Sequence, residues 1–415
     1  MTLVLSPEPL GAEMAGTAIR AVELARAIGG EVAFSHPHAP ADLRERAAAA
    51  GVVVAQPPWP LGARALRRSG ARLIYDLYDP EPLEALQFLA GRRAGVRQTV
   101  TAMSLDRLVN ALHDGHAFLC ASERQRDLWT GTLLAQRLIA PAVHDADPTL
   151  GGLLAVVPFG VPDEPPLPGE APRERFGLDA DDEIVLWNGG LWDWLDAESV
   201  LHAVARLSLE RPRLRLVFMG ASAAAQARDA ERRARALARG LGLLDRVVRF
   251  NDGWVPYAHR GAWLLQADCA VAAHHDHLET RFAHRTRLLD CVWAGLPVVC
   301  TRGDELAERV EREDLGATVA PEDPAVLASA LARVLDRGRA AYADRLASAA
   351  AELRWSRVAQ PLVRLAAARE GSEALGARAG RRRPRSPALR GRDVAYVAAR
   401  SVLNGVGRRD WPRVR

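Results

Sequence analysis

The chain has 415 residues, enough for two domains of ordinary size, each with its own hydrophobic core. Hydrophobic residues make up 49% and charged residues 26%, as in ordinary globular proteins, and no apolar run approaches the length of a membrane-spanning helix. The net charge is +4 and all 55 basic residues are arginine, so chemistry that needs a lysine, such as Schiff-base formation, is excluded.

The cysteines and the amino terminus indicate a compartment. The four cysteines lie in apolar runs without metal-type spacing, which predicts buried thiols in a reducing environment: Cys120, Cys269, Cys291 and Cys300. The first residues predict a strand and a turn without a basic segment, so we expect no signal peptide and a cytoplasmic protein.

The first part of the chain alternates short apolar strands with helices. Thr2–Ser6 predicts a strand, and a loop with Gly11 and Gly16 leads from it into an amphipathic helix. This unit is typical of a doubly wound domain whose helix N terminus faces a phosphate, which makes Gly16 a candidate contact. The spacing is not a GxGxxG fingerprint and by itself favours a packing turn. Further strands are predicted at Glu31–Ser35, Gly51–Ala55, Arg72–Asp76 and Ala117–Ala121.

Two polar sites follow these strands. Asp79 lies just after Arg72–Asp76, at the edge where α/β sheets bind ligands, so it is a candidate functional carboxylate. The alternative is that Asp79 only caps the helix after Pro80. Ser122 and Gln125 fit a capping box, which predicts a structural role for that segment.

A proline-rich segment separates this series from a second one. We expect a first domain at 1–157, a linker at 158–172, a second domain at 173–370 and a tail at 371–415. In the second domain a helix is predicted at Ala197–Leu209. Its strands are predicted at Glu183–Asn188, Leu214–Met219, Val247–Phe250, Ala267–Ala273 and Leu296–Cys300.

A glycine turn follows the first of these strands. Gly189 and Gly190 allow close backbone approach of a ligand, and Trp192 and Trp194 are placed to stack on a ring. Burial in the core is the alternative for each tryptophan. Two tryptophans in a turn that should be exposed favour the ligand role.

The stretch from His274 to Asp304 concentrates the strongest signals. Arg281, Arg285 and Arg287 fall within seven positions, and an amphipathic helix begins near Thr286. Guanidinium groups beside a helix N terminus favour a phosphorylated anion. A solvated, charged helix start is the alternative.

The end of this stretch carries a resemblance. Ala294-Gly-Leu-Pro-Val-Val299 and the acid Asp290 before it resemble the donor-binding segment of GT-B glycosyltransferases of the family-4 type, the glycosyl transferases group 1. That pattern has two glutamates separated by seven residues. Asp290 stands at the second glutamate position and Phe282 at the first, so the sequence departs from the family there. The nearest acid is Glu279, one helical turn upstream.

The resemblance implies a fold and a function. It implies two Rossmann-like, doubly wound domains that face a cleft, with a crossing helix from Trp355 back to the first domain. It also implies transfer of a sugar from a nucleotide-sugar donor with retention, without a cofactor or an essential metal. The acceptor would be a sugar, a lipid-linked compound or a polymer.

The resemblance also assigns roles. The assignments are diphosphate binding by Arg285, Arg287 and the helix start at Thr286; ribose binding by Asp290; donor-sugar contact by Glu279; base contact by Trp254 and Val255; and contact with a sugar hydroxyl or the acceptor by Asp79. The arginine and lysine that the family usually has in the glycine turn are absent. Two alternatives remain: another GT-B enzyme such as a sugar-nucleotide epimerase, or a binding protein without activity.

The tail has its own charge. Residues 376–415 hold 12 arginines against Asp393 and Asp410, a net +10, so residues 1–375 carry −6 of the overall +4. We expect this tail to be disordered and solvated, with contact to anionic lipid at the inner face of the membrane as the alternative. No nucleic-acid partner is expected.

Overall fold

The computed structural model describes residues 1–368 except 12–13, 36–39, 90 and 221–224. It divides into two compact units. The first contains residues 1–160, 282–284 and, within the described range, 353–368; the second contains 161–281 and 285–352. The first unit therefore extends three residues beyond the predicted boundary at 157. Most of the predicted linker belongs to the second unit, and the predicted tail lies outside the described residues.

The first unit contains a six-stranded parallel sheet with the order β2-β1-β3-β4-β5-β6. Its strands are β1 (Thr2–Ser6), β2 (Glu31–Phe34), β3 (Val52–Ala55), β4 (Arg72–Asp76), β5 (Ala117–Cys120) and β6 (Leu154–Val156). Its helices are α1 (Gly16–Ala27), α2 (Leu43–Ala50), α3 (Pro60–Ser69), α4 (Glu81–Phe88), α5 (Ala94–Asp114), α6 (Glu123–Ala135) and α7 (Pro141–Ala146). The predicted strands are present, and β6 is one that the sequence analysis did not predict.

The second unit contains another six-stranded parallel sheet, with the order β12-β11-β10-β7-β8-β9. Its strands are β7 (Glu183–Trp187), β8 (Leu214–Phe218), β9 (Val248–Phe250), β10 (Cys269–Ala272), β11 (Val298–Thr301) and β12 (Gly316–Val319). Its helices are α8 (Pro172–Phe176), α9 (Ala197–Leu207), α10 (Ala225–Gly240), α11 (Arg260–Gln266), α12 (Thr286–Trp293), α13 (Glu305–Arg312), α14 (Pro324–Arg337) and α15 (Ala343–Leu353). The predicted fold class, two doubly wound α/β domains, is confirmed.

In each sheet the strand order reverses once, so that strands are added first on one side of the starting strand and then on the other. In the first sheet the chain passes from β2 across β1 to β3, and in the second it passes from β9 back across β7 to β10. Loops leave such a switch point in opposite directions, so the carboxyl ends of the two central strands flank a crevice. The fold alone therefore places candidate sites after β1 and β3, and after β7 and β10.

The last described segment packs into the first unit. It consists of α16 (Trp355–Val358) and α17 (Gln360–Ala367). The ring of Trp355 lies 5.0 Å from that of Phe159, centroid to centroid, and a Cβ added at Gly160 would lie 2.6 Å from the indole. Arg72 on β4 donates to the carbonyl oxygens of Leu365 and Ala368. The segment that was predicted to cross back from Trp355 therefore belongs to the first unit.

Candidate functional site

The loops after β7 and β10 lie together at the carboxyl edge of the second sheet. β7 pairs with β10, and beyond their ends Leu195 and His274 form an isolated antiparallel bridge. The amide of His275 donates to the carbonyl of Trp194. These contacts bring the glycine turn and the start of the arginine-rich stretch to one place.

The glycine turn is shaped by one residue. Gly189 has φ of +120°, a conformation that side chains rarely adopt. A Cβ there would lie 3.6 Å from Nη2 of Arg287, so glycine lets the turn approach this guanidinium.

Arg287 is a half-buried cation of the site. Its Nη2 donates to the carbonyl of Gly190 at 3.2 Å, and the guanidinium lies over the ring of Trp187 at 5.5 Å from its centroid. Its Nη1 is buried and has no hydrogen-bond partner in the described residues. Burial lowers the pKa of Arg287 to about 10. No ion pair with a carboxylate compensates this charge among the described residues, which suits an anion supplied by a ligand.

Arg285 has a different environment. It forms an ion pair with Asp304, with side-chain exposures of 1% and 0%, and its Nη1 donates to the carbonyl of Thr301 at 2.8 Å. Its Nη2 lacks a hydrogen-bond partner in the described part of the chain. These contacts favour a structural role for Arg285, and Arg287 becomes the stronger candidate for binding a diphosphate.

The helix that carries Arg287 begins at Thr286, as predicted, with Arg285 as its N-cap residue. Asp290 lies on the same helix, and its Oδ1 accepts from Nε of Arg260 at 2.8 Å. The side chain of Asp290 is 26% exposed. It is therefore held in place and still accessible.

Glu279 begins a short 3₁₀ helix, Glu279–Arg281. Its Oε2 lies 3.7 Å from Nδ1 of His277, and its side chain is 16% exposed. Burial, together with the nearby His275, lowers the pKa of His277. Arg281, the last residue of the short helix, is exposed. Phe282, at the family's first glutamate position, belongs to the first unit, where its carbonyl accepts from Nε2 of Gln125 at 2.8 Å.

His274 is a residue that the sequence analysis missed. It is 6% exposed, and its Nδ1 has no partner among the described residues. Burial, and then the charges of Arg285 and Arg287, hold its pKa well below the ordinary value, so the imidazole is neutral. Its position directly after β10 was the available signal.

The aromatic candidates fall into two loops. Trp192 and Trp194 are half-buried and stack on each other, with ring centroids 5.1 Å apart and planes 8° from parallel. Trp254 and Val255 are half-buried in the loop after β9, and Nε1 of Trp254 has no partner within the described ranges. Neither loop is simply part of the core.

The carboxyl edge of the first sheet is built around an ion pair. Nε of Arg20 lies 2.6 Å from Oδ2 of Asp76, and both side chains are almost fully buried. The guanidinium also stacks on Tyr78, 4.7 Å from the ring centroid. Gly16 begins α1, and a Cβ there would lie 3.9 Å from the Tyr78 hydroxyl. Asp79 follows at the same edge and is half-buried; Pro80, not Asp79, is the N-cap residue of α4.

The described residues contain neither a cluster of metal ligands nor a membrane-spanning helix. They contain no group of three or more His, Cys, Asp or Glu side chains placed to hold a metal ion. No helix within the described ranges is long and apolar enough to cross a membrane.

Comparison with known protein families identifies a match in the second unit. Residues 182–337 match the family model described as glycosyl transferases group 1. The predicted resemblance is therefore confirmed for this part of the chain, which contains the glycine turn and the arginine-rich stretch.

Curated relatives match over part of their length. The chain is 29% identical to D-inositol 3-phosphate glycosyltransferase of Frankia alni, over 54% of each chain. It is 30% identical to D-inositol 3-phosphate glycosyltransferase 2 of Catenulispora acidiphila, over 52% of this chain and 50% of the relative. It thus spans about half the length of the curated relatives it matches.

Solved structures agree in fold over a larger share. Anabaena HepE in complex with UDP-glucose has a TM-score of 0.61 at 16% identity, covering 91% of this chain and 99% of that chain. Sucrose-phosphate synthase from Thermosynechococcus elongatus has a TM-score of 0.57 at 18% identity, covering 88% and 98%. These likenesses establish the GT-B fold.

Proposed function

We propose that this protein is a glycosyltransferase that moves a sugar from a nucleotide-sugar donor to an acceptor hydroxyl. The observation that carries the proposal is Arg287, a half-buried guanidinium whose Nη1 is buried without a partner in the described residues. It lies at the switch point of a unit that matches group 1 glycosyltransferases. Diphosphate is an anion that suits this place, because planar guanidinium groups bind phosphate oxygens strongly in a site of low dielectric constant.

We infer further that the donor nucleotide is UDP. The support comes from Anabaena HepE, solved with UDP-glucose, and from a trehalose-6-phosphate protein of E. coli bound with UDP-2-fluoro glucose, which share the fold. The names of the curated relatives add a phosphorylated cyclitol to the acceptor class of sugars, lipid-linked compounds and polymers.

The proposed reaction breaks the bond between the anomeric carbon and the diphosphate oxygen. The acceptor oxygen forms the new bond to that carbon with retention, and the acceptor's proton leaves with the diphosphate. Arg287 stabilises the charge that develops on the leaving diphosphate, which is the largest electrostatic requirement of the step. Glu279 contacts the donor sugar, and Asp79 contacts the acceptor. No metal or cofactor enters this proposal.

Calorimetry tests the donor class. The wild-type protein should bind UDP in the presence of EDTA more tightly than uridine, because only UDP carries the diphosphate. Arg287→Met should remove most of that difference. If no nucleoside diphosphate binds, the proposed function is wrong.

Turnover separates the alternatives. Incubation with UDP-sugars and a panel of acceptors should yield UDP and a glycoside whose anomeric configuration, read by NMR, matches the donor. Interconversion of the donor without an acceptor would indicate an epimerase. Tight UDP binding without any turnover would favour the binding protein.

We also propose that the arginine-rich tail contacts anionic membranes, at about 1 kcal/mol per arginine near the surface. The full chain should sediment with anionic vesicles at low salt, and deletion of residues 372–415 should abolish this while UDP binding stays intact. Equal sedimentation of both forms would contradict the proposal.

A further inference from the structure

Arg260 connects two parts of the candidate nucleotide site in the second unit. It begins α11, its side chain is 7% exposed, and its Nε donates to Oδ1 of Asp290 at 2.8 Å. Its Nη1 donates to the carbonyl of Tyr257 at 2.6 Å. The guanidinium carbon also lies over two rings, 3.5 Å from the centroid of Tyr257 and 4.5 Å from that of Trp293.

This environment fixes the orientation of the carboxylate. A guanidinium is planar and presents its donors in a rigid fork, so two hydrogen bonds and contact with two rings restrict its orientation. Its charge-assisted hydrogen bond then holds Oδ1 of Asp290 in that plane. Oδ2 of Asp290 has no hydrogen-bond partner in the described residues, and the side chain keeps 26% of its surface exposed. One oxygen is thus anchored and the other is left for a ligand.

The second contact of Arg260 reaches the loop assigned to the base. Tyr257 follows Trp254 by three residues and Val255 by two, and its ring and its carbonyl both contact Arg260. One side chain therefore sets the positions of the ribose-binding carboxylate and of the loop beside the base.

We propose that Arg260 is a positioning residue for nucleoside recognition: it orients Asp290 toward the ribose hydroxyls of the donor. This assignment rests on the proposed function. It predicts that Arg260 acts on the discrimination between ribose and deoxyribose, not only on affinity.

The competing interpretation is that Arg260 merely joins α11 to α12. The structure already provides that joint elsewhere. Arg339 donates to the carbonyls of Leu264, Leu265 and Ala267 at the end of α11, and to those of Ala294 and Gly295 after α12. A second clamp at the other end of α11 is not needed to hold the two helices together.

The experiment measures affinities for UDP, 2′-deoxy-UDP and 3′-deoxy-UDP by calorimetry. The wild-type protein should prefer UDP over at least one deoxy analogue by about 10- to 100-fold, the range for a hydrogen bond to a charged group. In Arg260→Met the preference for UDP over the deoxy analogue should fall below about 3-fold, mainly because UDP binds more weakly. Arg260→Lys keeps the charge without the fork, so it should also lose the preference.

Two further variants make the result specific. Asp290→Asn should lose the same preference, and the double variant Arg260→Lys/Asp290→Asn should be no worse than Asp290→Asn, because both act through one carboxylate. Arg215→Met is the matched control: Arg215 pairs with the buried Asp182 at 2.8 Å at the amino edge of the same sheet. It should alter stability and leave the ratio unchanged.

The outcomes distinguish a failure of the role assigned to Arg260 from a failure of the proposed function. Equal losses for UDP and its deoxy analogues in a folded Arg260→Lys protein overturn the assignment and favour a purely structural arginine. An unchanged ratio in both Arg260 variants also overturns it. No UDP binding by the wild-type protein overturns the proposed function, and this assignment with it. Melting curves show which variants are folded, and Arg260→Lys carries the test if Arg260→Met does not fold.

Discussion

Each of the two sheets has an arginine near its carboxyl edge, Arg20 fully buried and Arg287 half-buried, and the two differ in their partners. Arg20 in the first unit is paired with Asp76 through two nitrogens and donates to the carbonyls of Val157 and Pro158. Arg287 in the second unit has one carbonyl, that of Gly190, and a buried Nη1 without a partner in the described chain.

The difference has an electrostatic meaning. A buried charge without a counter-ion costs several kcal/mol, so a protein keeps one where a ligand supplies the opposite charge. Arg20 carries its counter-ion with it and serves the scaffold. Arg287 has no such counter-ion among the described residues, which is the basis for proposing that a ligand supplies it.

Arg285 shows that neighbouring residues can divide these roles. It lies two positions before Arg287, yet its charge is compensated by Asp304. The two arginines are indistinguishable as a charge cluster in the sequence, and their partners separate scaffold from site.

The largest effect is expected when one of the two buried ion pairs, Arg20–Asp76 or Arg285–Asp304, loses its carboxylate. Asp76→Asn and Asp304→Asn each leave a buried guanidinium uncompensated, so each should lower the free energy of unfolding by about 3–5 kcal/mol. Urea denaturation measures this. Asp314→Asn is the control, because the Asp314–Arg337 pair is 42% and 38% exposed and should contribute about 0–1 kcal/mol. Losses as small as in this control would show that the buried pairs are not the scaffold.

The second prediction concerns Arg287, the proposed diphosphate-binding arginine. Arg287→Met should weaken UDP binding by about 1.5–3 kcal/mol, without loss of stability, because it removes an uncompensated buried charge. Arg285→Met should do the opposite, with a large loss of stability and a smaller loss of affinity. Calorimetry and denaturation on both variants test the contrast. If both bind UDP as the wild-type protein does, the diphosphate binds elsewhere.

The third prediction compares the glycines at the two edges. Gly189→Ala places a side chain at φ of +120°, which should cost about 1–3 kcal/mol and displace Arg287. Gly16→Ala meets only an ordinary contact at 3.9 Å and should change stability by less than about 1 kcal/mol. Denaturation midpoints measure both. Equal effects would mean that the glycine turn is not specially shaped.

The smallest expected effect depends on pH. The folded-state pKa of His274 is depressed by burial and by Arg285 and Arg287, so below about pH 6.5 the unfolded chain takes up a proton that the folded chain does not. Stability should therefore fall as the pH drops from 7 to 5.5, by about 1 kcal/mol from this group. His274→Asn should flatten that part of the curve. An unchanged slope would show that His274 titrates normally.

The secondary-structure prediction found the edge strands β2 and β9 and missed the other two, β6 and β12. Leu154–Val156 has three residues, and in Gly316–Val319 only Val319 is buried. Both lie at the ends of their sheets, where a strand has one neighbour and therefore shows a weaker apolar signal. The central strands, which are buried on both faces, were found within a few residues.

The sequence by itself determined the alternation of strands and helices, the class of both domains and the stretch around Asp290 that resembles a donor site. These signals are local, since they depend on periodicity, turn residues and spacing within one segment. Only the tertiary structure decided that β7 lies beside β10, that Arg20 meets Asp76, and that Arg260 meets Asp290. Arg260 and Asp290 are 30 positions apart in the sequence, and Arg20 is 138 positions from Pro158, whose carbonyl it binds. The physical reason is that the role of a buried charge depends on its counter-ion, and the chain brings the two together only when the sheets form.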